Sequence, residues 1–232
     1  MNYGGLSIFS GLNLKLLDGK NYSIVGPTGC GKTTLLNIIS GVDKPSSGEL
    51  KFSGEENKGY LLQENVMLPW RTLLENIGLP FEIKQNVNVT NYGVISNFLK
   101  LFDLEGFETY YPDALSGGMK QRAALIRCLI TEPNLLLLDE PFSNLDFDIK
   151  LKIQKILLGY QKQIHSSIVF VTHDIEDAIA LSDEVIIFSS RPSSIKEIIK
   201  IDLGLTEKDP ILARKSDKFP IYFAEIWDKL KY

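Results

Sequence analysis

Cysteine is scarce in this chain. Cys30 and Cys128 are the only two in 232 residues, too few for a disulfide framework, and that usage points to a reducing compartment. An excess of positive charge is also lacking: 25 Lys and Arg face 29 Asp and Glu, for a net charge of −4, so no overall basic field invites nucleic acid. Apolar runs stay well short of the ~18 residues of a membrane span. No stretch reads as a signal peptide, so any membrane role is expected to be peripheral. Internal repeats and low-complexity tracts are missing too. The length suits one large domain, or a domain with an inserted lobe, with a sizeable core.

Nine residues organise what is there. Gly26-Pro27-Thr28-Gly29-Cys30-Gly31-Lys32-Thr33-Thr34 match the phosphate-loop pattern G-x-x-x-x-G-K-[ST]. Tyr22-Ser23-Ile24-Val25 before them reads as a buried strand, and Leu35 to Ser40 after them as a helix closed by Gly41. Glycines let successive backbone N–H groups turn inward around a phosphate. The helix N-terminus and Lys32 add positive charge, and Thr33 can offer its hydroxyl to Mg²⁺. The loop alone says only that a nucleoside triphosphate binds.

Upstream, the loose alternation from Leu6 to Leu17 and the turn at Asp18-Gly19-Lys20 predict a β-hairpin. Tyr3 could stack on an adenine ring, pack on that hairpin, or fray. Downstream, Glu49 to Phe52 and Tyr60 to Gln63 read as strands, and Gln63 falls where a parallel α/β sheet places its ligands. From Glu64 to about Pro133 helical spacing takes over, with Thr90 as an expected N-cap, which predicts an inserted helical lobe. Trp70 and Arg71 lie just after Gln63; they could anchor an interface, or the tryptophan could plug the lobe's core.

A second anion site follows. Ser116 is a good N-cap, and Gly117 and Gly118 allow close approach to the start of the helix running through Met119-Lys120-Gln121-Arg122. Next, Leu135-Leu136-Leu137-Leu138 reads as a strand buried on both faces and runs into Asp139-Glu140-Pro141. Carboxylates there are costly to bury unless metal or phosphate chemistry uses them. Asp139 suits the Mg²⁺ shell, and Glu140 could polarise a water. Ser143 to Asp146 is turn-like, and Ile168 to Val171 is a strand ending at Thr172-His173-Asp174, where His173 could donate to a γ-phosphate. A strand at Glu184 to Phe188, an edge strand at Ser194 to Ile201 and an aromatic helix from Phe219 complete the chain.

The phosphate loop, Gln63, Leu115-Ser116-Gly117-Gly118, Leu138-Asp139-Glu140-Pro141, Asn144-Leu145-Asp146 and Thr172-His173-Asp174 come in the order of the ATP-binding cassette transporter ATPases. The resemblance covers nearly the whole chain. It implies an α/β phosphate-loop NTPase with a mainly parallel, RecA-like sheet. Residues 1–63 and 134–232 would form the core and residues 64–133 the helical lobe, with a reduced N-terminal antiparallel part. Lys32 and the loop from Gly26 to Thr34 would hold ATP; Thr33, Gln63 and Asp139 would serve Mg²⁺. Glu140 would be the general base, His173 the γ-phosphate switch, and Tyr3 the adenine-stacking aromatic. Ser116, Gly117 and Gly118 would bind ATP held by a second ATPase subunit in a homodimer, with Asp146 at the seam.

The segment from Met67 to Asn76, Met119, and Arg191-Pro192 look like the nitrate, sulfonate and taurine importer group, with thiamine-precursor importers similar. That likeness implies a cytoplasmic subunit on the inner face of the membrane. Permease subunits would contact Trp70 and Arg71, a solute-binding protein would act indirectly, and no nucleic acid would bind. Two departures, the missing strand before Tyr3 and the short segment from Gly48 to Gln63, lead to an expectation of weaker nucleotide affinity. A soluble cassette factor of translation or DNA repair, or a phosphate-loop kinase, are readings from other classes. The first usually needs tandem cassettes or coiled coils, and the second leaves Ser116-Gly117-Gly118 without a purpose.

Overall fold

Four consecutive leucines need apolar neighbours above and below them, and the computed structural model provides both. It describes residues 2–3, 6–9, 11–54, 57–64, 66–84 and 89–231, without the side chains of residues 2, 3, 6, 89 and 90. In chain order the elements are β1 (Asn2–Tyr3), β2 (Leu6–Ser7), β3 (Asn21–Val25), α1 (Lys32–Ser40), β4 (Lys58–Leu61), α2 (Leu73–Ile83), α3 (Val89–Leu101) and α4 (Gly117–Leu129). Then come β5 (Leu135–Asp139), α5 (Phe147–Ile164), β6 (Ser167–Val171), α6 (Ile175–Leu181), β7 (Glu184–Phe188), β8 (Ile195–Lys200), α7 (Pro210–Lys215) and α8 (Phe219–Leu230).

The main sheet has the order β4-β5-β6-β3-β7-β8. Its first five strands are parallel, and β8 returns antiparallel along β7 at the edge. Strand alternation divides the core. Leu136, Leu138, Ile168, Phe170, Val185 and Ile187 face one cluster, shared with α4, α5, α6 and α8. Leu137, Val169, Val171, Ile186 and Phe188 face the other, whose helical cover is Leu35, Leu36, Ile38 and Ile39 of α1. Leu73 and Ile77 of α2 and Ile95 and Leu99 of α3 join the first cluster, so the helical region shares its core with the sheet.

The N-terminal part differs from the expected hairpin. Among the described residues β1 and β2 pair there, two residues each, with Tyr3 opposite Leu6, and Phe9 adds an isolated parallel bridge to Ser193. The alternation is real, since Leu12, Leu14 and Leu16 are half-buried against the α1 face while their neighbours are exposed, but this stretch has no strand ladder. Side-chain period marks a half-buried extended chain, not a hydrogen-bonded partner. Likewise Glu49 to Phe52 forms no strand; the Phe52 ring instead lies 3.7 Å from the Lys58 ammonium. β4 stops at Leu61, leaving Gln63 two residues beyond it, and Thr90 lies inside α3 instead of before it. Gly41 does close α1, in a left-handed conformation.

Ahead of α2 a tight structure fixes the 68–72 segment. Thr72 and Glu75 form a reciprocal capping box. Asn76, 1% exposed, accepts from Leu68 N at 2.7 Å and donates to the carbonyls of Leu68, Arg71 and Thr72 at 3.0–3.1 Å. Trp70 at the crest of this turn is 70% exposed, so it does not plug the core. Replacing Asn76 with Ala strips the part-buried Leu68 N–H and Arg71 carbonyl of their bonds to the side chain, while Leu68 O and Thr72 O keep backbone donors. The expected loss is about 1–3 kcal/mol in urea unfolding, with Trp70 fluorescence reporting a loosened turn; unchanged stability would show that solvent satisfies these groups.

Candidate active site

Because five strands run parallel, their carboxyl ends share one edge of the sheet. Following the strand order, that edge carries Gln63, then Asp139 and Glu140, then His173, then the phosphate loop, then the turn at residues 189–194.

The phosphate loop leaves β3, which is buried along its whole length, and enters α1 through Gly31. Gly31 has φ 103°, and a Cβ there would lie 2.5 Å from Ile8 Cγ2, so a side chain is excluded by both backbone and space. Lys32 turns its ammonium back onto the loop, donating to the carbonyls of Gly26 at 2.9 Å and Pro27 at 3.0 Å. Thr28, Gly29 and Thr33 are exposed, Gly26 and Thr34 half-buried, and Cys30 buried. Burial pushes the Cys30 thiol pKa up against the opposing charge of Lys32.

Asp139 ends β5 at 1% exposure, and neither carboxylate oxygen has a hydrogen-bond partner. Burial raises its pKa; the nearby Thr33 hydroxyl pulls the other way without completing a bond of normal geometry, and Glu140 adds to the rise. Among the described residues no group of three or more His, Cys, Asp or Glu could hold a metal by itself. An orphaned carboxylate beside a hydroxyl does suit a hard cation such as Mg²⁺, which takes few protein ligands and completes its shell with phosphate oxygens and water.

Glu140 has φ 51°, and its N–H donates to Val171 O on the adjacent strand at 3.0 Å. Its Oε2 lies 2.9 Å from Nδ1 of His173, which follows that strand. The pair is graded in access: the Glu140 side chain is 15% exposed and that of His173 75%. Next to it Asp174 caps α6 by accepting from Glu176 N and Asp177 N, and it takes a 2.8 Å bond from Lys150 of α5. Lys150 also reaches buried Asp177 at 3.1 Å, which in turn accepts from Gln154 at 2.8 Å and Arg214 of α7 at 2.7 Å. Burial acts to lower the Lys150 pKa, but the two carboxylates outweigh it and raise it overall.

Ser116 caps α4 by accepting from Met119 N at 3.2 Å. Among the described residues no hydrogen bond joins this corner to the chain's own phosphate loop. Gly118 is packed so tightly that a Cβ would lie 3.0 Å from Asn144 O. The link between this corner and the Glu140 loop is Gln121, which sequence reasoning did not single out. Buried at 2% exposure, it donates to Glu140 O at 2.9 Å and accepts from Asn144 N at 3.1 Å. The available signal was its place, with Ala124, Leu125 and Cys128, on one stripe of the helix, where a glutamine is costly unless bonded.

Other expected residues stand apart. Gln63 is exposed, with no hydrogen bond to Thr33 or Asp139 among the described residues. Asp146 is exposed at the start of α5 and makes no capping bond; Gly117 faces open space. Arg71 forms a pair with Glu82 at 2.7–2.8 Å. The Tyr3 side chain lies outside the described residues.

The family model described as ABC transporter matches residues 9–143. An uncharacterized ABC transporter ATP-binding protein of Bacillus subtilis (strain 168), YtlC, is 42% identical over 218 residues, spanning 91% of this chain and 84% of that protein. The aliphatic sulfonates import ATP-binding protein SsuB of Bacillus cereus is 37% identical over 203 residues, spanning 85% of this chain and 80% of that protein. Among solved structures, the cassette MJ0796, in a dimeric post-hydrolysis state bound to ADP and Pi, has a TM-score of 0.78 at 29% identity. The match covers 87% of this chain and 94% of that one.

The charge network behind His173 makes a measurable claim. Replacing Lys150 with Met leaves Asp177 with Arg214 as its remaining cation and strips Asp174 of its own, for an expected loss of about 2–4 kcal/mol at pH 7. Since pairing raises the folded-state pKa of Lys150, its contribution is complete below the ordinary value of 10.5 and lost as pH climbs through the raised one. Unfolding from pH 8 to 12 should therefore show a steeper alkaline decline in the native chain than in the variant, both sharing the decline due to half-buried Tyr60 and Tyr160.

Proposed function

This chain belongs to the ABC transporter family of ATP-binding proteins, and we propose that it is the energy-coupling subunit of an importer in the nitrate, sulfonate and taurine or thiamine-precursor group. It is an ATPase, with ATP as substrate and Mg²⁺ as the accompanying cation. Import is supported by the likeness to SsuB proteins; the solute is chosen by the permease and its binding protein. No helix among the described residues is long and apolar enough to cross a membrane, and in this reading the subunit sits on the inner face, held by permease subunits. Residues 64–133 form the helical lobe and residues 1–63 with 134–232 the RecA-like core, the lobe presenting Trp70 and Arg71 to the permease.

The loop amides from Gly26 to Thr34 and Lys32 hold the polyphosphate, and Tyr3 stacks on the adenine. Thr33, Asp139 and Gln63 would hold Mg²⁺, which when bound would neutralise charge on the phosphate oxygens. Glu140 takes the proton of a water whose oxygen attacks the γ-phosphorus, as the bond to the ADP oxygen breaks and ADP and phosphate form. His173 orients Glu140 and donates to the γ-phosphate. Two copies meet head to tail, so that Ser116, Gly117 and Gly118 of each close over ATP on the other, with Asp146 at the seam. The dimeric MJ0796 cassette supports that assembly.

The observation that carries this reading is the 2.9 Å Glu140–His173 pair beside the buried, unpartnered carboxylate of Asp139. Glu140→Gln is expected to keep ATP binding while slowing hydrolysis about 10²–10⁴-fold. It should also trap an ATP-dependent dimer on size-exclusion chromatography. Phosphate release at the native rate would remove Glu140 from the role of base. Trp70→Ala is expected to weaken co-purification with the permease, and full retention of the permease would move the docking surface elsewhere.

A further inference from the structure

On the sheet, β3 is flanked by β6 on one side and β7 on the other. The first neighbour brings His173; the second ends in the 189–194 turn, which the reading above leaves without a task. That turn is fastened to the phosphate loop. Ser193 is buried and donates from its hydroxyl to Cys30 O, while its N–H donates to Ile8 O at 2.7 Å. Ser189 and Ser194 tie the turn across its base, through Ser189 N to Ser194 O and Ser194 N to Ser189 Oγ, both at 3.0 Å.

At the tip of this braced turn is Arg191. Its guanidinium lies against the phosphate loop, where a Cβ on Gly29 would be 3.6 Å from Nη2 and 4.0 Å from Cζ. Its charge reaches the buried Cys30 thiol, where it opposes the rise that burial causes. Arg191 is exposed, and no carboxylate pairs with it among the described residues. A guanidinium without a carboxylate partner, carried on a braced turn beside a cradle of backbone N–H groups, has the chemistry of a phosphate ligand, being planar, permanently charged and able to donate in a fork.

We propose that Arg191 is a nucleotide-contacting residue, a second cation beside Lys32 that binds the phosphates seated in the loop. The two cations approach different parts of the loop: Lys32 is held by the carbonyls of Gly26 and Pro27, and Arg191 lies against Gly29. This assignment rests on the ATPase reading and extends it to a residue supplied by the strand on the other side of β3.

Isothermal titration of the full chain with ADP and with inorganic pyrophosphate tests it. Arg191→Gln is expected to weaken both about tenfold, the scale of one charge-assisted hydrogen bond at an exposed site. Arg191→Lys should recover part of the loss and Arg191→Glu deepen it, with melting temperatures near native because the side chain is exposed. The salt dependence of ADP binding should flatten in the Gln variant. Unchanged affinity for both ligands in the Gln and Glu variants would overturn the assignment, as would a loss confined to ADP, which would place the contact on base or ribose. A native chain that binds neither ADP nor pyrophosphate would overturn the ATPase reading along with it, so the two failures are distinct.

Discussion

A carboxylate buried without a hydrogen-bond donor costs several kcal/mol, and Asp139 is held in that condition by the strand it ends. β5 pairs with β6 along its length and with β4 as far as Leu138, and it is covered on both faces, so packing and pairing offset the penalty. What remains free to change is the charge next to it. The Thr33 hydroxyl and Lys32 already act in that direction, and in the proposed mechanism a divalent cation carried in with a nucleotide would add to the compensation. In that reading, affinity for the magnesium–nucleotide pair would draw on a cost built into the fold.

Around this point the charges are arranged by depth. Asp139 is fully enclosed, Glu140 partly, and His173 stands largely in solvent, so the residue proposed for the cation is the most desolvated and the one proposed for the γ-phosphate the most accessible. Behind them, Lys150 and Arg214 neutralise Asp174 and Asp177 and fasten α5, α6 and α7 together. His173 is therefore mounted on a rigid base even though its own ring is exposed. Glu140, with its positive φ and its N–H bonded to Val171 O, is aimed by backbone as much as by side chain.

Much of this was legible in the sequence because short apolar runs and fixed motifs encode it. Leu135 to Leu138, Ile168 to Val171 and Glu184 to Phe188 fall on observed strands, and Ser116, Asp174 and Gly41 perform the capping their residue types suggest. The failures have a common cause: local pattern does not report pairing. Leu12, Leu14 and Leu16 alternate as a strand would, yet they lie on the core without a ladder. α7 escaped because its six residues carry no periodicity long enough to read. Gln121, Lys150 and Arg214 are recognisable only once helices distant in sequence are brought together. The same holds for Arg191, whose importance depends on β7 lying beside β3.

Gln121 has one more implication. Its amide grips the Glu140 carbonyl with one end and the Asn144 N–H with the other, while Gly118, on the same helix, sits directly against Asn144 O. The corner at Ser116 and the loop that follows β5 are thus joined through a buried amide and a close backbone contact. In the proposed head-to-tail dimer, any shift of residues 140–144 would be felt at the N-terminal tip of α4, which would couple each protomer's hold on its neighbour's nucleotide to its own turnover.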